Sequence, residues 1–304
     1  MIDYASLRAV AAVAETGSFE KAARQLNVTP SAVSQRVKHL EDRIGAALIV
    51  RGAPCVATEK GAWLCRHMQH VSLLEQDLFR ELPGLEDGDR SSGRATVAVA
   101  VNADSLGSWF LPAAARFSER AGHLLAVTVD DQDHTAEWLK RGQVLAAVTS
   151  LAKPVSGCRA LSLGALRYRA TASPAFLARH FPSGVTAEAL ADAPSLTFNQ
   201  KDLLQEQWAK VALGCKAGLS GHWLPSTQAF VDACLLGLGW GMNPDLLVRD
   251  HLKAGRLVEL VPGAHLDIPL FWQINRMAAD QLVQLTAAIA QAAKTCLEPA
   301  KSEI

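Results

Sequence analysis

Hydrophobic residues recur every three or four positions through the first 45 residues, which is the period of amphipathic helices. A first predicted helix ends near Gly17, and Ser18 is placed to cap a second helix that continues to Leu26. Two connecting residues then lead into a third helix. The apolar positions of the first helix are Leu7, Val10, Ala11 and Ala14. The chain is therefore predicted to open with three short helices joined by tight turns.

The third predicted helix has start and stop signals at its two ends. Thr29 can serve as N-cap, Pro30 suits the first helical position, and Gly45 is typical of a C-terminal cap. Its apolar face, expected to be buried, consists of Val33, Val37, Leu40 and Ile44. Its opposite face carries hydroxyls, an amide and cations: Ser31, Ser34, Gln35, Arg36 and Lys38. Such groups pair with base edges and phosphates, which favours the recognition helix of a helix-turn-helix over an ordinary helical hairpin with a solvated face.

A longer apolar stripe with helical spacing follows between residues 58 and 82. Its members are Leu64, Met68, Val71, Leu74, Leu78 and Leu82. A helix of about 25 residues is roughly 37 Å long, and a small helical domain cannot cover such a stripe alone. We expect a matching helix from a second copy to cover it, with packing onto the rest of this chain as the alternative.

The periodicity changes beyond this helix. Pro83 and Gly84 end it, and the polar residues 85–94 predict a hinge. Strands and helices then alternate, which predicts a mostly parallel sheet. Because the chain leaves this sheet near residue 164 and returns near residue 270, we predict two α/β lobes. Strands are predicted at 96–101, 124–129, 144–148, 168–171, 195–198 and 270–274, and helices at 105–120, 135–141, 202–212, 227–236 and 279–297.

The composition limits the number of folding units and the class of protein. A chain of 304 residues, 49% of them hydrophobic, suffices for two or three folding units with substantial cores. The net charge is zero, but residues 1–60 hold eight basic and six acidic side chains, a modest positive bias in the segment expected to meet DNA. No apolar run approaches the roughly 18 residues that cross a bilayer, and the first residues lack the features of an export signal. We expect a cytoplasmic protein with no membrane partner.

Signals for catalysis and metal binding are weak. The six cysteines form no Cys-x-x-Cys pair, and the set Cys65, His67 and His70 lacks a fourth ligand, so a structural role is favoured. The glycines of residues 237–241 suggest a dinucleotide loop, but a predicted helix precedes them where a strand is required, so Gly237 is better explained as a helix cap. The remaining histidines considered are scattered: His123, His134, His222 and His265. We predict neither an enzyme, nor a metal, nor a cofactor.

Specific residues of the amino-terminal half resemble LysR-type transcriptional regulators. They are Phe19, Ala22, Ala23, Leu26, the run 29–35, Leu40, Glu41, Gly45, Val50, Arg51, Pro54 and the run 58–61. The resemblance implies a winged helix-turn-helix with a long dimerisation helix, followed by a two-lobed effector domain like a periplasmic binding protein. One departure is Ile49, where the family often has phenylalanine, so an aliphatic side chain must fill that volume. The DNA-binding residues implied are Thr29, Pro30, Ser31, Ser34, Gln35, Arg36, Lys38, Arg51 and Thr58.

The carboxyl-terminal half resembles one group of that family, the ArgP/LysG group. The segments that carry this resemblance are 100–105, 131–134, 164–166, 239–242 and 265–269. It implies a sensor of lysine or arginine that activates an amino-acid exporter gene, works as a homodimer or a dimer of dimers, and contacts RNA polymerase. A replication-initiation inhibitory role is a secondary implication. An unrelated solute-binding or enzymatic α/β protein with a helical extension is the alternative from a different class.

A basic amino acid needs N–H donors for its carboxylate and acceptors for its cationic nitrogens. Asp104, Asp130 and Asp131 follow predicted strands, at the edge where open parallel sheets place ligands, and Ser105 begins a helix whose free amides suit a carboxylate. Asp104 could instead be a helix cap, and Asp130 could be solvated. The effector-binding residues predicted are Asn102, Asp104, Ser105, Asp130, Asp131, Thr149, Ser150, Ser226 and Thr227.

These patterns divide the chain into four consecutive segments. The winged domain takes residues 1–58, the linker helix 59–82 and the hinge 83–94, and the effector domain takes 95–304. Within the effector domain, lobe 1 is expected at about 95–163 and 270–304, and lobe 2 at about 164–269.

Overall fold

The computed structural model of the chain describes residues 3–82, 96–121, 123–130, 135–141, 143–214 and 218–299. The expected hinge, 83–94, and Asp131 lie outside the described residues. The amino-terminal elements are helices α1 (Tyr4–Thr16), α2 (Phe19–Gln25) and α3 (Pro30–Ile44), strands β1 (Ile49–Val50) and β2 (Val56–Ala57), and helix α4 (Glu59–Glu81). This order of elements forms a winged helix-turn-helix followed by a long helix.

The predicted limits of α3 are confirmed. The Thr29 hydroxyl accepts a hydrogen bond from the amide of Ala32, Pro30 lies in the first turn, and Gly45 ends the helix in the left-handed conformation at φ 70°. Val33, Val37 and Leu40 are buried in the cluster formed with α1 and α2. The prediction that Ile44 is buried is wrong, because it lies in the final turn beyond this cluster and remains exposed.

The wing is attached to α3 through the side chain of Glu41 and lies directly against α4 at Gly61. One carboxylate oxygen of Glu41 accepts hydrogen bonds from the amides of Leu48, at 2.7 Å, and Ile49, at 3.2 Å. Ile49 is buried, so the aliphatic residue at the family's phenylalanine position does contribute to the core. At the start of α4, the Cβ of any residue replacing Gly61 would lie 2.0 Å from the carbonyl oxygen of Leu48. The wing and the long helix therefore meet at a position that only glycine can occupy.

The apolar stripe of α4 divides into two halves with different surroundings. Leu64, Met68 and Val71 pack on the core of the winged domain. Leu74, Leu78 and Leu82 are 54%, 47% and 51% exposed. The expectation of one continuous seam is therefore corrected: the winged domain covers the first half, because α1 lies along α4, and only the second half is available to another helix.

The second half of the chain is a two-lobed α/β domain. Its strands are β3 (Thr96–Asn102), β4 (Leu124–Asp130), β5 (Ala146–Thr149), β6 (Cys158–Ala172), β7 (Ser195–Thr197), β8 (Gly221–Trp223), β9 (Gly241–Pro244), β10 (Val258–Glu259) and β11 (His265–Asn275). Its helices are α5 (Ala103–Ser105), α6 (Leu111–Ala121), α7 (Thr135–Lys140), α8 (Pro174–His180), α9 (Ala187–Asp192), α10 (Leu204–Leu213), α11 (Thr227–Leu236), α12 (Asp245–Lys253) and α13 (Val283–Cys296).

The main sheet has the order β10-β6-β11-β5-β3-β4, with β9 also paired to β6. Only the pairs of β3 with β4 and with β5 are parallel, whereas β6 and β11 are antiparallel to each other and to their other partners. The prediction of a mostly parallel sheet is therefore wrong. The reason is that two long strands pass through both lobes in opposite directions and supply most of the pairing.

The two long strands change register at the point where they pass from one lobe to the other. Gly164 lies opposite Leu270, and the pairing shifts between Leu270 and Phe271. A register shift of this kind bends a strand. Residues 164 and 270 are also where the sequence places the lobe boundaries, and the Arg167 guanidinium binds the Asp267 carboxylate across the two strands at 2.8 Å.

Helix α11 has its predicted bounds, and Gly237 is confirmed as its C-cap. The single helix predicted at 105–120 is instead three consecutive pieces: α5, a π-helical turn at Leu106–Phe110, and α6. The wider turn brings two adjacent aromatic residues, Trp109 and Phe110, into the core together. The last helix starts at Val283 rather than at residue 279, after a short 3₁₀ turn.

Candidate nucleic-acid interface and effector cleft

The polar face of α3 lies on the outside of the winged domain. Ser31, Gln35 and Lys38 are exposed, while Ser34 and Arg36 are half-buried beside them. The buried residues of the same helix lie on the opposite side, so the polar side chains form one surface that a groove of DNA can approach. Hydroxyls, an amide and cations on one helix face provide both base-edge and phosphate contacts.

Two predicted DNA-binding residues have hydroxyls that already serve the fold. The Thr29 hydroxyl caps α3 and lies 3.0 Å from the Ser31 hydroxyl. The Thr58 hydroxyl donates to the carbonyl of Ala47 at 2.8 Å and accepts from the amide of Gly61 at 3.1 Å, which makes it the cap of α4. Pro30 is exposed at the amino end of α3. Thr58 therefore supports the wing, and its hydroxyl is occupied there.

The wing arginine has a defined position. The guanidinium of Arg51 lies 5.2 Å from the centroid of the Phe19 ring, within the range of a cation–π contact. Arg51 is exposed at the end of β1, so the contact orients its charge without removing it from solvent. This arrangement presents one cation on the wing, beside the amino-terminal end of α2.

The cleft between the lobes encloses about 670 Å³ of empty space, part of which opens to solvent. The residues that line it come from both lobes: Asn102, Ala103, Asp104, Asp130, Phe198, Lys201, Asp202, Leu203, Leu204, Gln207, Thr227, Phe230, Met242, Asn243 and Pro244. Four of the nine predicted effector-binding residues are among them, namely Asn102, Asp104, Asp130 and Thr227.

Asp104 joins the two lobes. The hydroxyl of Tyr168, in the lobe-2 part of β6, donates to one of its oxygens at 2.7 Å, and the hydroxyl of Thr227, at the start of α11, donates to the other at 2.6 Å. The alternative of a simple helix cap is wrong, because Asn102 is the residue before α5 and Asp104 lies inside that helix. The carboxylate therefore lies in the cleft, where its hydrogen bonds hold the lobes together.

Asp130 lies at the carboxyl end of β4, directly opposite Asn102 in the register of the parallel pair. The indole N–H of Trp138, in α7, donates to one of its carboxylate oxygens at 2.9 Å. This hydrogen bond orients the side chain beside the cavity, so the alternative of a merely solvated carboxylate is wrong. Lobe 1 thus contributes two carboxylates to the same side of the cleft.

Asp131 lies outside the described residues, and the other four predicted effector residues do not line the cavity. Ser105 and Thr149 are fully buried, and the Thr149 hydroxyl accepts from the amide of Leu151 at 3.3 Å. Ser226 is the exposed cap of α11, and its hydroxyl accepts from the amide of Ala229. Ser150 is half-buried and is not among the lining residues. A position near the end of a strand does not by itself place a side chain in the cavity, because neighbouring side chains point to different sides of the sheet.

Lobe 2 supplies residues that the sequence reasoning missed. The segment 198–204 lines the cleft and is held by Asp202, whose carboxylate accepts from the amides of Phe198, at 2.9 Å, and Leu204, at 3.1 Å. Lys201 stands exposed on this segment. Asn243, in β9, was also missed. The signal in the sequence is an asparagine within a short apolar stretch, because a buried amide requires hydrogen-bond partners.

The described residues contain neither a membrane-spanning helix nor a group of potential metal ligands. No helix within the described ranges has the length and apolar composition needed to cross a membrane. Among the same residues, no three histidine, cysteine, aspartate or glutamate side chains are grouped as metal ligands. Burial raises the pKa of the Cys65 thiol to about 11, which disfavours the thiolate that a metal would require.

Comparisons with known proteins agree with this architecture. Residues 4–62 match the model of the bacterial regulatory helix-turn-helix protein, lysR family, and residues 89–294 match the LysR substrate binding domain. The transcriptional regulator ArgP of Pseudomonas aeruginosa (strain UCBPP-PA14) is 44% identical over 286 residues, which cover 94% of each chain.

Two solved structures cover nearly the whole chain. ArgP from Mycobacterium tuberculosis is 40% identical, covers 99% of this chain and 100% of its own, and superposes with a TM-score of 0.82. Full-length LysG from Corynebacterium glutamicum, solved with bound effector Arg, is 34% identical over 98% of this chain and 100% of its own, with a TM-score of 0.72. These relatives are regulators rather than enzymes, which argues against the enzymatic alternative. The chain belongs to the LysR family of bacterial helix-turn-helix transcriptional regulators.

Proposed function

We propose that this regulator responds to a basic amino acid, lysine or arginine, bound between the two lobes, and that it controls an amino-acid exporter gene. The observation that carries the proposal is the pair of carboxylates, Asp104 and Asp130, on one wall of the cleft between the lobes. Carboxylates attract cationic nitrogen, and the similar LysG was solved with Arg bound. Lysine and arginine both satisfy this requirement.

The direct test is a thermal-shift screen of the full chain against all common amino acids. A ligand present at a hundred times its dissociation constant adds about 2.7 kcal/mol of stability. We expect arginine or lysine to raise the unfolding temperature, and neutral or acidic amino acids to leave it unchanged. A screen in which only neutral or acidic amino acids stabilise the protein would contradict the proposal.

The regulator is further proposed to bind DNA as a dimer or a dimer of dimers and to contact RNA polymerase at the promoter. The domain limits that go with this proposal are 1–58, 59–82, 83–94 and 95–304. A replication-initiation inhibitory role is a second candidate only through the resemblance to its group, and no contact in the structure favours it. A gel-shift assay on the intergenic DNA upstream of the gene for this chain tests operator binding.

Substitutions in α3 and in the wing are expected to affect DNA binding in different ways. Gln35→Ala is expected to cost about 1–3 kcal/mol on the operator and little on random DNA, because an exposed amide on the recognition face reads base edges. Arg51→Ala is expected to weaken both kinds of DNA and to lower the slope of affinity against salt by about one, because it removes a phosphate contact. Titrations at several salt concentrations measure both effects.

The matched control for Gln35→Ala is Gln291→Ala, which removes an exposed glutamine from α13 in the effector domain. It should leave affinity for both DNAs unchanged. Equal losses on operator and random DNA from Gln35→Ala would mean that this side chain only touches the backbone of the DNA.

The second prediction concerns the carboxylates of the cleft. Asp104→Asn and Asp130→Asn keep the size of each side chain but remove its charge, so each is expected to weaken lysine or arginine binding by about 1.5 kcal/mol or more. Isothermal calorimetry measures the loss. The control is Asp250→Asn, which removes a carboxylate that is 82% exposed on α12. A residue whose Asn variant binds as the parent does would be structural.

A further inference from the structure

Lobe 2 carries a second groove, which is separate from the cleft between the lobes. Three stretches form it: residues 173–176 with Arg179 from α8, residues 235–237 at the carboxyl end of α11, and residues 255–256 after α12. None of these residues lines the cleft. The groove is therefore a surface that neither DNA binding nor effector binding, as proposed above, makes use of.

The apolar part of this groove is Leu236. Its side chain is 86% exposed, the highest value among the large hydrophobic side chains of the described residues, and Leu238 nearby is 43% exposed. Gly237, between them, ends α11 in the left-handed conformation at φ 73°, so the chain turns there and leaves a leucine in solvent on each side of the turn. One exposed leucine is ordinary on a protein surface, but two leucines beside a groove are typical of an interaction site.

Two arginines line the same groove. Arg179 lies in the last turn of α8 and Arg256 follows α12, and both are exposed. Within the residues that the structure describes, neither forms an ion pair. By contrast, Arg169 and Arg249 of the same lobe both pair with Asp245. The groove thus presents two cations whose carboxylate partners have to come from another molecule.

Arg256 is held in position by His251. Its Nε atom donates to Nδ1 of His251 at 3.1 Å, and its backbone amide donates to the carbonyl oxygen of His251 at 2.9 Å. A ring nitrogen that accepts a hydrogen bond carries no proton, so the imidazole is neutral in this contact. The two terminal nitrogens of the guanidinium take no part in it and can bind a carboxylate in the bidentate geometry that arginine favours.

We propose that this groove docks a protein partner through an acidic segment that carries an aliphatic side chain. Carboxylates of the segment pair with Arg179 and Arg256, and its aliphatic side chain covers Leu236. A phosphate backbone or a small anion would neutralise the arginines but would leave the leucine in water, which favours a protein. Because the groove is separate from the cleft, this docking does not depend on which amino acid is the effector.

Fluorescence anisotropy with synthetic peptides tests the proposal on the full chain. The first probe is a labelled peptide of glutamates interrupted by leucines. In the second, serine replaces each leucine, and in the third, lysine replaces each glutamate. At about 0.15 M salt, where exposed charges are partly screened, we expect the first peptide to bind at least about tenfold more tightly than either of the others.

Substitutions in the groove connect this binding to its residues. Arg179→Glu, Arg256→Glu and Leu236→Ser are each expected to weaken the first peptide about tenfold, because each removes one of the contacts proposed. The double variant with both glutamates should instead bind the lysine peptide. The matched control is Arg120→Glu, which reverses an exposed arginine in the last turn of α6 in lobe 1 and should bind every peptide as the parent does.

Three results would overturn the inference. They are equal binding of the serine and leucine peptides, binding of the leucine peptide that the groove variants do not change, and no binding of it up to about 1 mM. All the replaced side chains are exposed, so operator affinity and unfolding temperature should stay as in the parent. A loss of operator affinity in the arginine variants would mean that these residues contact DNA instead.

The thermal-shift screen keeps this inference distinct from the proposed function. A parent protein that binds the leucine peptide but is not stabilised by arginine or lysine would contradict the proposed effector and leave the docking groove standing. A parent that is stabilised by arginine or lysine but does not bind the leucine peptide would overturn the docking groove alone.

Discussion

Replacing Leu78 by glutamate is expected to convert the protein into monomers and to lower its affinity for a two-half-site operator by about 100-fold or more. Leu78 lies on the carboxyl-terminal half of α4, where Leu74, Leu78 and Leu82 are exposed at helical spacing. Three leucines on one helix face in water favour association with a like face. A carboxylate in that seam would lose its hydration without gaining a partner, which opposes association strongly.

The loss of DNA affinity follows from the loss of the dimer. Two winged domains held together bind the second half-site as an intramolecular event, which raises the overall affinity by about 100-fold to 10,000-fold. Multi-angle light scattering gives the mass of the variant, and gel shifts give its affinity. The cleft lies apart from this seam, so arginine or lysine binding by the variant should persist.

The matched control is Leu236→Glu, which places the same charge at a leucine that is 86% exposed at the end of α11 in lobe 2. It should leave the mass and the operator affinity unchanged. A Leu78→Glu variant with the mass of the parent would show that the copies meet on another surface.

Replacing Gly61 by alanine is expected to destabilise the winged domain by about 3 kcal/mol, at the upper end of the usual cost of overpacking, and to abolish operator binding at physiological temperature. The added Cβ would lie 2.0 Å from the carbonyl oxygen of Leu48 and 3.0 Å from its carbon. Both atoms belong to the backbone, so no side-chain rotation relieves the contact. Either α4 or the wing must move, and the hydrogen bonds that Glu41 accepts from the amides of Leu48 and Ile49 depend on the position of the wing.

Differential scanning calorimetry of the full chain measures this effect as an earlier unfolding transition of the winged domain. The transition that responds to the effector should stay where it is. Gly218→Ala is the control, because a Cβ at Gly218 meets nothing within 4 Å; its effect should stay within about 0.5 kcal/mol. A Gly61→Ala variant that unfolds as the parent does would show that the wing can shift to accommodate the added Cβ without loss of stability.

The sequence by itself determined the elements whose signals are local. The limits of α3 depend on a capping hydroxyl, a proline and a glycine within 17 residues, and those of α11 on Ser226 and Gly237. Helix periodicity likewise identified the apolar stripe of α4. Such features require only neighbours along the chain, so their energetics can be read from residue type and spacing. The polar face of α3 was identified for the same reason.

Tertiary structure decided how distant segments meet. Local periodicity could not show that β6 and β11 run antiparallel through both lobes, or that α1 covers the first half of the α4 stripe. At the cleft, the predicted strand ends supplied Asn102, Asp104 and Asp130, and the predicted start of α11 supplied Thr227. The same reasoning also suggested Thr149 and Ser226, which do not line the cavity. Which side chain faces the cavity depends on the twist and register of strands far apart in sequence.

The contacts of Asn243 illustrate what neighbouring residues in the sequence cannot predict. Its buried amide nitrogen donates to Thr171, 72 positions earlier in the chain, and to Cys234. Likewise, the link between the lobes requires Thr227 to reach Asp104 across 123 positions. The residue types of α3 indicated its polar face, because one helix presents all of that face. The cleft is lined by strands and helices of both lobes, and only the folded chain brings groups such as Asp104 and Thr227 within hydrogen-bonding distance.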